Sequence, residues 1–169
     1  MKIGLVYAMT GEIESLLTQE NAQPLQTVAG VPFYQIRPDV IACAGGVSKV
    51  NAAMATQLLI SLYQPDLVLN AGVAGCFENM PIGSIVLAEG FLQHDVDTST
   101  LGDRVGLVST VNRVQFPTSD LDRARAAMDR VGVPYRTGWV ATGDWFATDT
   151  PRAHWIADTF HPLLCDMEG

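Results

Sequence analysis

Short continuous apolar runs alternate along this chain with stretches whose apolar residues recur every three or four positions. The first run predicts a buried strand over 2–8, closed by Thr10-Gly11, with a short helix over 12–18. Two further strands are expected over 32–39 and 40–44, joined by a turn at Arg37-Pro38-Asp39. Val50, Ala53, Met54, Leu58 and Leu62 then fall at helical spacing, with Ser48 placed to cap the helix and Pro65 just past its end. Strands follow over 66–70 and 84–88, separated by a small-residue turn over 71–75. Ser119-Asp120-Leu121-Asp122 opens a helix running to Val131-Gly132, and a strand is expected over 135–141. Thr150-Pro151 starts another helix carrying Trp155, Ile156 and Phe160 on one face, and the last strand covers 163–168.

Strands alternating with helices predict an α/β fold with a mostly parallel central sheet flanked by helices. The length, 169 residues, fits a single domain with a core of its own. Ligands of such sheets lie beyond the carboxyl ends of the strands. Four places qualify: 9–12, 44–48, 70–75 and 166–168.

Composition narrows the partners. With 48% apolar and 17% charged residues the chain is globular in type, and its net charge of −8 with scattered basic residues argues against nucleic-acid backbones and anionic membrane surfaces. No apolar run approaches membrane-spanning length, and the opening run lacks a signal-peptide cleavage site. Cys43, Cys76 and Cys165 form no C-x-x-C and sit in apolar or glycine-rich contexts, so they are expected to be reduced core residues of a cytoplasmic protein.

Each chemical candidate has a plain structural counterpart. Glu12, following the first strand, suits either a catalytic carboxylate or an acid placed at the positive end of a helix. Glu168 is either a site carboxylate at a strand end or part of a frayed terminus. The turn Ala44-Gly45-Gly46-Val47-Ser48-Lys49 could cradle an anion at a helix start, but it lacks the full phosphate-loop pattern, and close packing of strand on helix is the simpler reading. His94-Asp95-Val96-Asp97, if extended, puts Asp95 and Asp97 on one face and His94 on the other, poor metal-ligand geometry; no metal and no cofactor are expected. No nucleophile elbow or Ser-His-Asp set supports acyl transfer.

Six segments in series carry a family resemblance over the whole chain. They are M-K-I-G-L-V-Y-A-M-T-G-E, ending at Glu12; A-G-G-V-S-K-V-N-A-A at 44–53; N-A-G-V-A-G at 70–75; H-D-V-D at 94–97; T-G-D-W-F-A at 142–147; and C-D-M-E-G at 165–169. In this order the chain resembles the 5′-methylthioadenosine/S-adenosylhomocysteine nucleosidases of the wider purine nucleoside phosphorylase and nucleosidase family. The resemblance implies a three-layer α/β/α fold of nucleoside phosphorylase type and hydrolysis of the N-glycosidic bond between adenine and a 5′-thio-substituted ribose. Such cleavage passes through an oxocarbenium-like transition state and needs a base for water and an acid for the leaving group.

By that resemblance Glu12 matches the general base and Glu168 the carboxylate that binds the ribose hydroxyls, with Met167 under the sugar. Phe146 matches the aromatic residue stacked on adenine, Ala147 the backbone that hydrogen-bonds the base edge, Gly75 the glycine that lets the nucleoside approach the main chain, and Met9 a further substrate contact. The family is commonly homodimeric, with the partner subunit closing the 5′-thio pocket; Leu101 and Pro117 are the candidates for that lid. A related futalosine hydrolase, a nucleoside phosphorylase or a catalytically silent nucleoside-binding fragment are the alternatives. Phosphorolysis would need cations, and no arginine stands near Thr10-Gly11 or the 70–75 turn.

The chain also departs from the family pattern. Val73 stands where Ser or Thr is frequent, Asp166 where Glu is usual, Tyr7 where glycine is common and Gly11 where an acid is common. In the family a helix and a strand follow Met-Glu, that strand leads to a Ser-Asp pair whose aspartate protonates adenine N7, and a last helix closes the fold. The expectation is therefore a single nucleosidase-like domain over 1–169 lacking its last crossover, strand and C-terminal helix, either a fragment or completed by a partner chain. Without the leaving-group acid such a chain would be a feeble catalyst, since proton donation contributes about 10²–10⁴-fold.

Overall fold

The computed structural model describes residues 1–148 and 150–169. Its contacts divide the chain into two compact units, Met1–Val73 together with Glu168, and Ala74–Met167 together with Gly169. Each has its own five-stranded sheet.

In the first unit β1 (Ile3–Tyr7), α1 (Thr10–Gln19), β2 (Gln23–Val28), β3 (Val31–Arg37), β4 (Val40–Ala44), α2 (Lys49–Tyr63) and β5 (Leu67–Asn70) follow one another. The sheet order is β2-β3-β4-β1-β5. β1 runs parallel to both β4 and β5, whereas β2, β3 and β4 form an antiparallel meander. Alternation along the strands separates two cores. Val6, Phe33, Ile41 and Cys43 pack with Ala55 and Leu59 of α2, while Ala42 and Ile36 pack with Ile13 of α1 and the half-buried Leu5 and Tyr7. Apolar side chains on both faces explain why β1 and β4 read as unbroken apolar runs.

The second unit holds β6 (Gly75–Cys76), β7 (Ile85–Gln93), β8 (Gln115–Pro117), α3 (Leu121–Val131), β9 (Tyr135–Thr142), α4 (Pro151–Phe160) and β10 (Leu164–Asp166), in the order β6-β10-β9-β7-β8. β9 is parallel to β7 and β10, and the outer strands β6 and β8 are antiparallel to their neighbours. Leu92, Ala141 and Ile156 form the buried centre, flanked by Phe77, Trp145 and Phe160. Thr150 accepts a hydrogen bond from the Ala153 N–H at 3.3 Å and so caps α4, whose first residue is Pro151.

The α/β class is as expected, but the strands fall into two mixed sheets. β2, β6 and β8 escape the apolar pattern for physical reasons. β2 is almost wholly exposed and contains Pro24, β6 is two residues long, and β8 places Pro117 on an edge, where a missing N–H costs no ladder bond. β6 lies beside β10, pairing Leu164 with Cys76 and Cys165 with Gly75, so β10 has a neighbour on each side. H-D-V-D lies in the turn after β7, not in a strand.

The buried face of α2 also differs from the expected one. Leu59 is 0% exposed and Ala52 and Ala55 are buried, whereas Val50 is 73% exposed and Met54 and Leu62 also face solvent. Glycines on the strand side let α2 come close: a Cβ on Gly4 would lie 2.6 Å from Leu59 Cδ2, and one on Gly45 2.5 Å from the Ala55 Cβ. Close packing against these glycines selects the Ala55 and Leu59 face over the Val50 and Met54 one.

Of the three cysteines, all free, Cys43 and Cys165 are buried but Cys76 is exposed, against the expectation of three core thiols. Burial pushes the Cys43 thiol up to about 11, and burial with the nearby Asp166 and Cys76 does the same to Cys165. A raised thiol is neutral through the physiological range and therefore unreactive. A thiol-reactive disulfide reagent at about pH 8 is expected to label one thiol per native chain, lost in Cys76→Ser, and three after unfolding. Two fast-reacting thiols in the native protein would contradict the burial of Cys43 and Cys165. In urea unfolding, Leu59→Ala should cost about 2–5 kcal/mol, while Val50→Ala should stay within about 0.5 kcal/mol. Equal costs would mean that the α2 face is misassigned.

Candidate active site

The strand order places the ends of β1, β4 and β5 side by side, and the ladder continues into the loops beyond them. Gly45 N–H donates to the Tyr7 carbonyl at 2.8 Å, Gly46 N–H to the Ala8 carbonyl at 2.9 Å, and Ala71 N–H to the Val6 carbonyl at 3.1 Å. Three of the four loops nominated from sequence thus adjoin one another, and the fourth, 166–168, is represented in this unit by Glu168.

Glu12 sits in the first turn of α1 and accepts three main-chain hydrogen bonds. Ala8 N–H and Met9 N–H reach Oε2 at 3.1 and 3.0 Å, and Val73 N–H reaches Oε1 at 3.0 Å. The contacts from Ala8 and Met9 realise the plain reading, an acid capping its own helix. The contact from Val73 goes further, because it comes from the loop after β5 and fixes the outer oxygen. A carboxylate offers about four acceptor positions, so three donors leave one, on Oε1, for a water or hydroxyl. Gly72 makes this possible: a Cβ there would stand 3.0 Å from Oε1. Burial first, and then the charge of Glu12, hold the Tyr7 phenol above its ordinary value.

Glu168 Oε1 accepts the Ser48 N–H at 3.1 Å, directly before α2. The glycine-rich turn therefore does face an anion at a helix start, and the anion is a side chain of the protein itself. Close packing also holds, through Gly45 against Ala55. Ser48 occupies the cap position without making a side-chain cap bond. Met9, the expected substrate contact, is exposed beside Glu12, and Val73 is exposed as well.

The remaining expected site residues belong to the second unit. Phe146 is 77% exposed on the loop after β9. That loop is held at its base: Asp144 N–H donates to Asp95 Oδ2 at 2.9 Å, and the Trp145 ring meets the buried His94 edge-on with centroids 6.4 Å apart. The Arg152 guanidinium lies over the Trp145 ring, 4.8 Å from its centroid. His94 and Asp95 thus anchor the segment that carries Phe146 and Ala147. Among the described residues no group of three His, Cys, Asp or Glu side chains could hold a metal.

Gly75 stands in β6 with Cys165 opposite; a Cβ would come 3.0 Å from the Cys165 Sγ, so its smallness serves strand packing. Met167 is half-buried after β10, and Asp166 accepts the Thr142 hydroxyl at 2.6 Å. Leu101 is 82% exposed at the end of a single 3₁₀ turn (Ser99–Leu101). Pro117 lines a cavity of about 650 Å³ whose other walls include Leu92, Trp139, Phe160, Arg104 and Arg113. Sequence reasoning missed Gly72 and the donors at Ala8, Val73 and Ser48. A glycine two residues past a strand end was the available signal for Gly72; a main-chain N–H leaves no signal at all.

The family model for the phosphorylase superfamily matches residues 2–169. The 5′-methylthioadenosine/S-adenosylhomocysteine nucleosidase of Shewanella loihica is 35% identical over 176 residues, which cover 100% of this chain and 76% of that protein. The crystal structure of the Campylobacter jejuni 5′-methylthioadenosine/S-adenosylhomocysteine nucleosidase superposes with a TM-score of 0.90 at 27% identity, over 100% of this chain and 76% of that one. A futalosine hydrolase mutant of Helicobacter pylori has the same fold, with a TM-score of 0.91 at 24% identity over 100% and 76% of the two chains. The chain belongs to the phosphorylase superfamily, and within it to the family of 5′-methylthioadenosine/S-adenosylhomocysteine nucleosidases.

Proposed function

We propose that this protein hydrolyses the N-glycosidic bond of 5′-methylthioadenosine and S-adenosylhomocysteine, releasing adenine, with Glu12 activating the water. The carrying observation is the Glu12 carboxylate, held by donors from two loops with one acceptor position on Oε1 unused. A base for water must present a lone pair in a fixed direction, and N–H donors on both oxygens hold the carboxylate in one orientation. Glu168 binds the ribose hydroxyls, with the Ser48 N–H on its Oε1 holding the carboxylate. Phe146 stacks on adenine, and the main chain at Ala147 reads the base edge. Met9, Gly75 and Met167 complete the substrate contacts. No cofactor takes part in this reaction scheme.

The protein acts in the cytoplasm as a homodimer in this reading, with Leu101 and Pro117 closing the 5′-thio pocket of the partner subunit. The exposed Met54, Leu62 and Leu101 supply apolar surface suited to subunit contact.

Chromatography of adenine released from 5′-methylthioadenosine tests the scheme. Glu12→Gln is expected to lower turnover about 10²–10⁴-fold while nucleoside affinity by calorimetry stays within a few fold. Unchanged turnover would remove Glu12 from the role of base. Binding without product from the native chain would select the silent nucleoside-binding alternative, product dependent on phosphate a phosphorylase, and preferential cleavage of futalosine the related hydrolase. Gly72→Ala pushes a methyl group against Oε1, so turnover should fall by at least about 10-fold, the cost of a misplaced catalytic group, with nucleoside affinity kept.

A further inference from the structure

Ser48 adopts a backbone conformation that its residue type disfavours. The other described non-glycine residues with positive φ, Asn21, Ala29, Gln64, Asn112 and His161, lie at 49–51° in the left-handed helical well. Ser48 has φ +103° and ψ 155°, in the region essentially reserved for glycine. Such an outlier persists only where the surroundings over-determine it.

The surroundings here are specific. The Ser48 carbonyl is fixed by the first turn of α2, accepting the Ala52 N–H at 2.9 Å. With that end set, φ of Ser48 decides which way the Val47–Ser48 peptide plane faces. Both polar atoms of that plane are engaged. Asn51 Nδ2 donates to the Val47 carbonyl at 2.7 Å, and the Ser48 N–H donates to Glu168 Oε1 at 3.1 Å. Gly46, at φ +95°, brings the chain in close enough that a Cβ would sit 3.2 Å from Asn51 Nδ2. Neither the Ser48 hydroxyl nor a cap bond explains the conformation, because the side chain makes no cap contact.

We propose that Asn51 and Ser48 are positioning residues for the Glu168 carboxylate. Asn51 pins the Val47–Ser48 peptide from its carbonyl side, and the strained Ser48 aims the N–H of the same peptide at Oε1. This rests on the reading of Glu168 as the ribose-binding carboxylate, and it adds what orients that group.

Three measurements on the whole chain test it. The Ser48 amide proton, bonded to a charged acceptor, should resonate downfield by NMR, move upfield in Glu168→Ala, and move part of the way in Asn51→Ala, which leaves the carboxylate in place. Ser48→Gly should raise Tm by about 2–4 °C by releasing strain. Asn51→Ala should weaken nucleoside binding on the order of 10-fold, and should weaken it no further in the Glu168→Ala background. A Ser48 resonance indifferent to Asn51→Ala, a Tm lowered in Ser48→Gly, or additive losses in the double variant would each overturn the proposal. If the resonance moves as expected but Glu168→Ala leaves affinity intact, positioning of the carboxylate stands and its ribose role falls.

Discussion

Parallel pairing of β1 with both β4 and β5 is the constraint on which the first unit's strand ends depend. A parallel ladder delivers successive strand ends on the same side of the sheet, and here it runs past the strands into the loops through the N–H groups of Gly45, Gly46 and Ala71. The register Val6 to Asn70 brings the 71–73 loop level with the start of α1, so that Val73 N–H can meet a carboxylate rooted three residues into that helix. A slip of one residue would turn Val6 out of the α2 core and withdraw that donor together. Core packing and site geometry are in this sense one requirement.

Much of the fold was legible because burial writes itself into sequence. β1 and β4, covered on both faces, read as apolar runs, and Thr150-Pro151 and Val131-Gly132 marked helix ends that the structure places at the same positions. What was illegible was exposed or set by shape. β2 carries no buried side chain, and α2 seats Leu59 against Gly4 and Ala55 against Gly45, a fit of shapes that spacing alone does not reveal. At the site, Glu12 and Glu168 stood out as carboxylates at strand ends. The atoms that hold them did not, since they are main-chain donors whose direction depends on φ and ψ rather than on residue type.

The H-D-V-D segment shows how a motif can be conspicuous for a reason other than its apparent chemistry. Its histidine is 2% exposed and packs against Trp145, and a Cβ on Gly143 would fall 2.4 Å from the imidazole ring. Asp95 meanwhile binds the Asp144 N–H. A buried imidazole and a carboxylate on one turn therefore fix the start of the exposed Phe146 loop. An exposed aromatic can bind a flat ring with little entropic loss only if its backbone is already ordered.

Holding carboxylates through the main chain also accounts for one departure from the family pattern. Val73 lacks the hydroxyl frequent at its position, yet what reaches Glu12 from that residue is its N–H, which every residue but proline possesses. Side chains at such places can change without disturbing the donors, so long as the loops keep their path. That path is secured by glycines at 45, 46 and 72, where a Cβ would strike Ala55, crowd Asn51 or press on Glu12. The positions least free to vary around the two carboxylates are therefore not the donors' own side chains but the glycines that let the backbone come near.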